Sequence, residues 1–178
     1  MSSSSKAKKT EELKKKLFSP DETVVQAAIT EARETGTIDI VAPLISLYTT
    51  TASEEIRKEV GEILGTIKMS GADEVFIEAL TNPAFSSYRK DIIQFIWSSG
   101  IQPVNELANI TRIAIDGSFE EALECITLLD SIETAIQEAV LLESITMVKQ
   151  HLGHPGVDDK KALMTEYLRA LENMIVED

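Results

Sequence analysis

The chain has 178 residues, with 17 basic against 30 acidic side chains and a formal net charge of −13. Because duplex affinity comes mainly from Lys and Arg that neutralise phosphates, this balance argues against a nucleic-acid binder. Cys125 is the single cysteine, so an internal disulfide is excluded. Hydrophobic residues make up 43% of the chain, which is enough for a folded core at this length.

The first residues are rich in Ser and Lys, and residues 1–9 are predicted to be a disordered tail because they offer almost nothing to bury. No apolar stretch follows these lysines, which excludes a secretory signal of the usual form. The longest uncharged runs, 40–53 and 92–105, have 14 residues each and are too short to cross a bilayer as helices. We therefore expect a cytoplasmic protein without membrane binding.

Apolar residues recur at helical spacing along the rest of the chain, beginning with a helix from about Thr10 to Ser19. Pro20 and the two acids after it are typical of the start of a second helix, which ends at Gly36. Thr37 opens the third helix. The sequence shows no strand-like alternation, and the fold class is predicted to be all-α.

Residues that typically begin or end a helix continue to recur further along the chain. A turn at 49–53 leads into a helix capped by Ser53, and two further helices are predicted to end at Gly71 and Gly100, where a positive φ is tolerated. Asn82–Pro83 and Asp116–Gly117 are further breaks. In total, nine or ten helices are predicted.

An internal repeat indicates how these helices are arranged. Residues 56–60 (Ile-Arg-Lys-Glu-Val) match 88–92 (Tyr-Arg-Lys-Asp-Ile) at an offset of 32, and 119–123 form a weaker third copy at an offset of 31. A Gly-containing segment precedes each copy, so each copy is predicted to be a helix pair. Because one pair cannot cover its own apolar faces, neighbouring pairs must stack.

Residues 55–65 (Glu-Ile-Arg-Lys-Glu-Val-Gly-Glu-Ile-Leu-Gly) resemble the second helix of a HEAT repeat. Val60 and Gly61 stand where the family favours small residues and are a mild departure from its pattern. The resemblance extends over about 20–150 and is clearest in 38–100. It implies an armadillo-like α-solenoid, a right-handed α-α superhelix of about four helical hairpins, as one domain over residues 10–178 with its C-terminal helix as a cap. HEAT arrays mostly act as scaffolds and adaptors, which implies a protein partner.

The repeated charges are the candidate binding residues. A ridge along the second helices is predicted to contact a partner protein; its members are Arg57, Lys58, Arg89, Lys90, Glu120, Glu121 and Glu124. Alternatively, each Arg ties its repeat to the next through a carboxylate. The proposed acceptors are Glu59, Asp73, Glu74 and Asp91.

The charge along the ridge changes from positive to negative at Glu120 and Glu121. Residues 101–148 carry nine acidic side chains and a single basic one, Arg112. One interpretation is a solvated acidic face. The other is an acidic groove that attracts a basic segment of a partner and mainly raises its association rate.

Candidates for chemistry are few. His151 and His154, followed by Asp158 and Asp159, are the residue types that bind zinc, but a His in the last helical turn and a terminating glycine explain the same pattern. Cys125 has acidic and apolar neighbours that would raise a thiol pKa, so a buried structural role is favoured. No catalytic, metal or cofactor residue is assigned, and the chain is predicted not to be an enzyme.

Two further predictions concern packing. Trp97, Phe95, Phe85 and Tyr88 are expected to fill core, together with the neighbouring isoleucines. The last helix, with Leu163, Tyr167, Ala170 and Leu171, is predicted to cap the array or, alternatively, to swap or dimerise.

The sequence therefore predicts a non-catalytic interaction scaffold. The alternative is an accessory subunit, or a HEAT-like protein of the lyase or glycosylase type that seats a substrate in a concave groove; the acidic second half argues against the glycosylase version.

Overall fold

The computed structural model describes residues 3–154 and 159–175, with side chains from residue 7 onward. These residues form ten α-helices and three short 3-10 helices and contain no strand, which confirms the all-α prediction. The α-helices are α1 (Ser3–Leu17), α2 (Glu22–Thr35), α3 (Val41–Thr50), α4 (Glu54–Leu64), α5 (Ala72–Thr81), α6 (Arg89–Ser98), α7 (Leu107–Asp116), α8 (Phe119–Asp130), α9 (Glu138–Gly153) and α10 (Lys161–Asn173). The 3-10 helices are Ile38–Ile40, Pro83–Tyr88 and Val104–Glu106.

Most of the predicted helix boundaries are observed. Asp21 caps α2 through a 2.9 Å hydrogen bond from the Thr23 amide, and Ser53 caps α4. Helix α1 begins at Ser3, earlier than the predicted start near Thr10. Residues 1 and 2 lie outside the described residues, and the disorder of the 1–9 segment stays a prediction.

Positive φ angles occur at the three glycines for which they were predicted, Gly36, Gly71 and Gly100. One of the predicted roles is wrong. Helix α4 ends at Leu64, and Gly71 instead occupies the N-cap of α5, with φ 83°. A loop therefore separates the two helices, because Gly65 already ends α4.

The helices group into two compact units, Met1–Tyr88 and Arg89–Asp178. Within the first unit, α1, α3 and α5 contact one another in succession and α2 contacts α4, so the helices form two layers. The layers bury a core of mainly aliphatic side chains, including Leu17, Ile29, Leu44, Leu64 and Phe76. The prediction of a single domain over residues 10–178 stays a prediction.

The second unit has the same alternation. Helices α6, α8 and α10 contact one another in succession, and α7 contacts α9. Tyr167 of α10 is fully buried, and its hydroxyl shares a 3.1 Å hydrogen bond with Thr111 of α7. Of the α10 residues singled out in the sequence, Tyr167 and Leu171 are therefore buried within this chain, whereas Leu163 and Ala170 are half-buried.

A buried lysine joins two helices of the second unit. Lys160, at the N-cap of α10, donates from Nζ to the carbonyls of Ala114, Ile115 and Gly117 at 2.6–3.1 Å. These carbonyls lie at the C-terminal end of α7, where helical partners are missing and a cation complements the helix dipole. The end of α7 is thus stabilised from a distant part of the sequence.

The 32-residue offset relates buried positions of α4 to buried positions of α6. Val60, Ile63 and Leu64 are buried, and so are the residues 32 positions later, Ile92, Phe95 and Ile96. The third copy at an offset of 31 is wrong, because it pairs buried Ile92 with Leu123, which is 46% exposed. The inward face of α8 is set by other positions, described below.

No helix in residues 3–154 and 159–175 has the length and apolar character required to cross a membrane.

Candidate protein-interaction surface

Arg89 on α6 and Glu121 on α8 connect two adjacent helices of the second unit. Nη1 of Arg89 lies 3.2 Å from Oε1 of Glu121, and both side chains are mostly buried. The partner of Arg89 is thus a carboxylate 32 residues further along the chain, as a tie between repeats requires. That partner is not one of the predicted acceptors, but another member of the predicted ridge.

Glu121 also belongs to the N-terminal cap of α8. The Ser118 hydroxyl accepts from the Glu121 amide, and Oε2 of Glu121 accepts from the Ser118 amide at 2.6 Å, which completes a capping box. Both carboxylate oxygens are thus occupied, and the residue is only 8% exposed. Glu121 therefore stabilises the α6–α8 pair and is not accessible as part of an outer ridge.

Glu124 and Trp97 form a second link between the same helices. The indole Nε1 of Trp97 donates to Oε2 of Glu124 at 2.9 Å. Trp97 is half-buried and so are Phe85 and Tyr88, whereas Phe95 is buried. The prediction that all four aromatics fill core is therefore correct for Phe95 alone. In the case of Trp97, the polar edge of the indole is directed to a carboxylate.

Of the predicted ridge in this unit, Lys90 and Glu120 are exposed. Glu120 lies between two exposed apolar residues, Phe119 and Leu123, each of which exposes 46% of its surface. With Thr127 and Asp130 they lie within about 100° of one another around α8, on the side opposite the core-facing residues. We refer to these five residues, Phe119, Glu120, Leu123, Thr127 and Asp130, as the outer α8 face.

A groove of about 360 Å³ runs between α8 and α10 and adjoins this face. Asp130 belongs to both, and Ile126 and Met174 supply apolar side chains. In the groove, Arg169 is held by Glu166 through two contacts of 2.8 Å. The remaining lining residues are Ala170 and Asn173.

The ridge residues of the first unit lie on α4. Lys58 is exposed, but Arg57 is directed back along its own chain. Its guanidinium donates to the carbonyls of Tyr48 and Thr51 and to the Glu54 carboxylate, and lies 5.8 Å from the centre of the Tyr88 ring. These partners differ from the predicted acceptors, and they leave Lys58 as the accessible cation of the Arg57–Lys58 pair.

The first unit has a cleft of about 380 Å³ between the C-terminal ends of α2 and α4. Its floor consists of buried apolar side chains, including Ile40, Leu44 and Ile67. Arg33, Glu62 and Lys68 line the polar part, and Arg33 and Glu62 are 3.9 Å apart and more than half exposed. Such an exposed pair is weak, so the cleft presents both charges to solvent.

Cys125 is fully buried, as predicted, and its Sγ lies 3.7 Å from the Ile110 carbonyl, to which it donates. Burial raises the pKa of the thiol, and the negative charges of Glu121 and Glu124 raise it further. The thiol therefore stays protonated, which is the opposite of what a nucleophile requires.

His151 lies in the last turn of α9 and Gly153 is its final residue, as predicted. His154 and Asp159 are exposed, and Asp158 lies outside the described residues. Among the residues that the structure describes, no three His, Cys, Asp or Glu side chains are placed to hold a metal ion.

Sequence reasoning missed Phe119 and Leu123. A helical projection of α8 would have found them, because both fall on the same side as Glu120 and Asp130, opposite Ala122, Cys125 and Leu129. In the sequence both residues belong to the predicted third repeat copy, 119–123, which is wrong.

Comparison of the chain with protein-family models, with curated proteins and with solved structures finds no match.

Proposed function

We propose that this chain is a non-catalytic protein-interaction module. The observation that carries the proposal is the outer α8 face, where two large apolar residues, Phe119 and Leu123, are each 46% exposed beside an acid. Apolar side chains exposed at i and i+4 on one helix form a continuous contact stripe. Interfaces often have aromatic anchors surrounded by polar residues.

We further propose that the helix pairs are HEAT-like and stack as a right-handed superhelix, in a cytoplasmic protein. The alternation of helix contacts within each unit supports this arrangement, since stacked hairpins place every second helix in the same layer. The resemblance of residues 55–65 to a HEAT helix supports it as well. Within the second unit, the accessible ridge residues Lys90 and Glu120 then contribute to the binding surface. Lys58 is the accessible ridge residue of the first unit, which is considered separately.

The proposal is tested by photo-crosslinking in cells. A photoreactive residue at Thr127 should capture a defined partner, and the double variant Phe119→Ser/Leu123→Ser should lose that product. Leu142 provides a matched control because it is 47% exposed on α9, outside this face. Retention of the crosslink in the double variant, or equal loss in Leu142→Ser, would exclude the outer α8 face as the interaction surface.

The cleft of the first unit favours a second candidate function, that of an accessory protein that seats a small substrate. An apolar floor with a few charged groups at its edge is the usual composition of a ligand site. A screen of amphipathic carboxylates by thermal shift tests this function. Stabilisation should disappear in Lys68→Gln, and the absence of any stabilising compound would count against it.

A further inference from the structure

We infer that the outer α8 face and the adjoining α8–α10 groove bind a basic amphipathic helix of a partner protein. This inference rests on the proposed function and adds to it the chemistry of the partner and its mode of binding. Two observations lead to it, the spacing of the apolar residues and the charges that border them.

The apolar residues match one side of a docked helix. Phe119, Leu123 and Ile126 lie at i, i+4 and i+7 of α8, so they form one stripe about 10 Å long. Ile126 also lines the groove, together with Met174 at the C-cap of α10. A stripe that continues into a groove between two helices suits a helix with its own apolar face, and flexible Met side chains adapt to such a partner.

The charged residues around the outer α8 face indicate that the partner helix is positively charged. Glu120 and Asp130 are exposed, and their carboxylates make no hydrogen bond or ion pair within residues 3–154 and 159–175. Arg169 is the one cation that lines the groove in the described residues, and two acids, Glu166 and Asp130, line it as well, so the groove carries an excess of negative charge. Residues 89–178 contain seven basic and sixteen acidic side chains, a net charge of −9. A cationic helix would relieve this repulsion, whereas an acidic helix would increase it.

The probe is a fluorescein-labelled helical peptide of 18 residues that has leucine at positions i, i+3, i+4 and i+7 and lysine elsewhere. A matched peptide replaces every lysine with glutamate. Fluorescence anisotropy measures the binding of each peptide to the full chain at 50 and 300 mM NaCl. We expect the chain to bind the lysine peptide and not the glutamate peptide.

Two pairs of variants test the location. Glu120→Gln/Asp130→Asn should weaken binding of the lysine peptide about tenfold at 50 mM NaCl, and Phe119→Ser/Leu123→Ser should weaken it at least as much at both salt concentrations. Glu138→Gln/Glu143→Gln changes the net charge by the same amount on exposed positions of α9, and it should leave the affinity within about twofold. Circular dichroism checks that every variant keeps its helix content.

Equal weakening by both charge variants would show diffuse attraction to an acidic protein and would overturn the inference, as would equal binding of both peptides. A concentration-dependent dimer of the free chain that Phe119→Ser/Leu123→Ser dissociates would overturn it by assigning the face to a second copy. If crosslinking at Thr127 depends on Phe119 and Leu123 but the lysine peptide does not bind, the proposed function stands and this inference alone fails.

Discussion

Gly117 separates α7 from α8 in a backbone conformation that any residue can adopt, with φ −80° and ψ −174°. The need for glycine there comes from space. A Cβ at this position would lie 2.5 Å from Oε2 of Glu121 and 2.6 Å from the backbone oxygen of Ile113. A shift of the carboxylate would disturb its contacts with Arg89 and the Ser118 amide, and the carbonyl belongs to α7 and cannot move without disturbing the helix.

We therefore expect Gly117→Ala to lower the free energy of unfolding by about 1–3 kcal/mol, measured by urea denaturation. Gly153→Ala is the matched control, since a Cβ at Gly153 would meet nothing within 4 Å. Its effect should be close to zero or slightly stabilising, because alanine restricts the unfolded chain. If Gly117→Ala left the free energy of unfolding unchanged, the turn would be shown to accommodate the added methyl group.

Cys125 should be unreactive in the folded chain because the thiol is buried and its pKa is raised. We expect the thiol reagent DTNB to label it only after unfolding, and labelling of the native chain at the rate of a free thiol would contradict this burial.

The same raised pKa makes the free energy of unfolding depend on pH in the alkaline range. The folded state holds the proton more tightly than the unfolded state, so its stabilising effect is complete below the ordinary thiol pKa and is lost as the pH rises above about 9. Burial raises the pKa of Tyr167 too and acts in the same direction. Urea denaturation at pH 8 and 10.5 should show a fall for the wild type and a smaller fall for Cys125→Ala.

At the scale of the helices, the most informative contact is the one that Lys160 makes with the end of α7. Removal of its ammonium group would leave three backbone carbonyls, those of Ala114, Ile115 and Gly117, without this charged donor. A hydrogen bond that involves a charged group contributes about 1.5–3 kcal/mol.

We expect Lys160→Met to lower the free energy of unfolding by about 2–3 kcal/mol in urea denaturation. The amides of the last turn of α7 should exchange faster with deuterium. Lys161→Met is the matched control, because Lys161 is adjacent to Lys160 in the chain but is exposed. If both variants have the same small effect, the three carbonyls are satisfied equally well by water.

The loop between α8 and α9 is held in a comparable way. Gln102 donates from Nε2 to the Ser131 carbonyl at 3.0 Å, and its Oε1 accepts from the amide of Glu133 at 2.7 Å. A residue in the connection after α6 thus fixes a loop about thirty residues away. Neither this side chain nor Lys160 belongs to a helical stripe, so no periodicity in the sequence identifies them.

For the whole molecule, the main electrostatic term is self-repulsion from the net charge of −13. Salt screens repulsion among exposed charges, so an increase from 10 to 300 mM NaCl should raise the midpoint of thermal unfolding by about 2–4 °C. Glu138→Gln/Glu143→Gln removes two of the acids and should reduce this dependence on salt. A midpoint that does not change with salt would show that favourable ion pairs offset the repulsion.

The helical fold class, most of the helix boundaries and the burial of Cys125 could be predicted from the amino-acid sequence. These follow from local patterns: apolar residues at helical spacing, capping residues such as Asp21 and Ser53, and glycines that accept a positive φ. Each pattern depends on residues within one or two helical turns of one another, and the chain displays them directly.

The accessibility of the charged residues could not be predicted in the same way, because it depends on how the helices pack. Glu120 and Glu121 are adjacent acids in the sequence, yet Glu120 is exposed while Glu121 is buried against Arg89. The same holds for Phe119 and Leu123, which look like core residues until the packing of α8 against α6 and α10 directs them outward. A helix position becomes core or surface according to which neighbouring helices lie against it, and that depends on contacts between residues far apart in the chain.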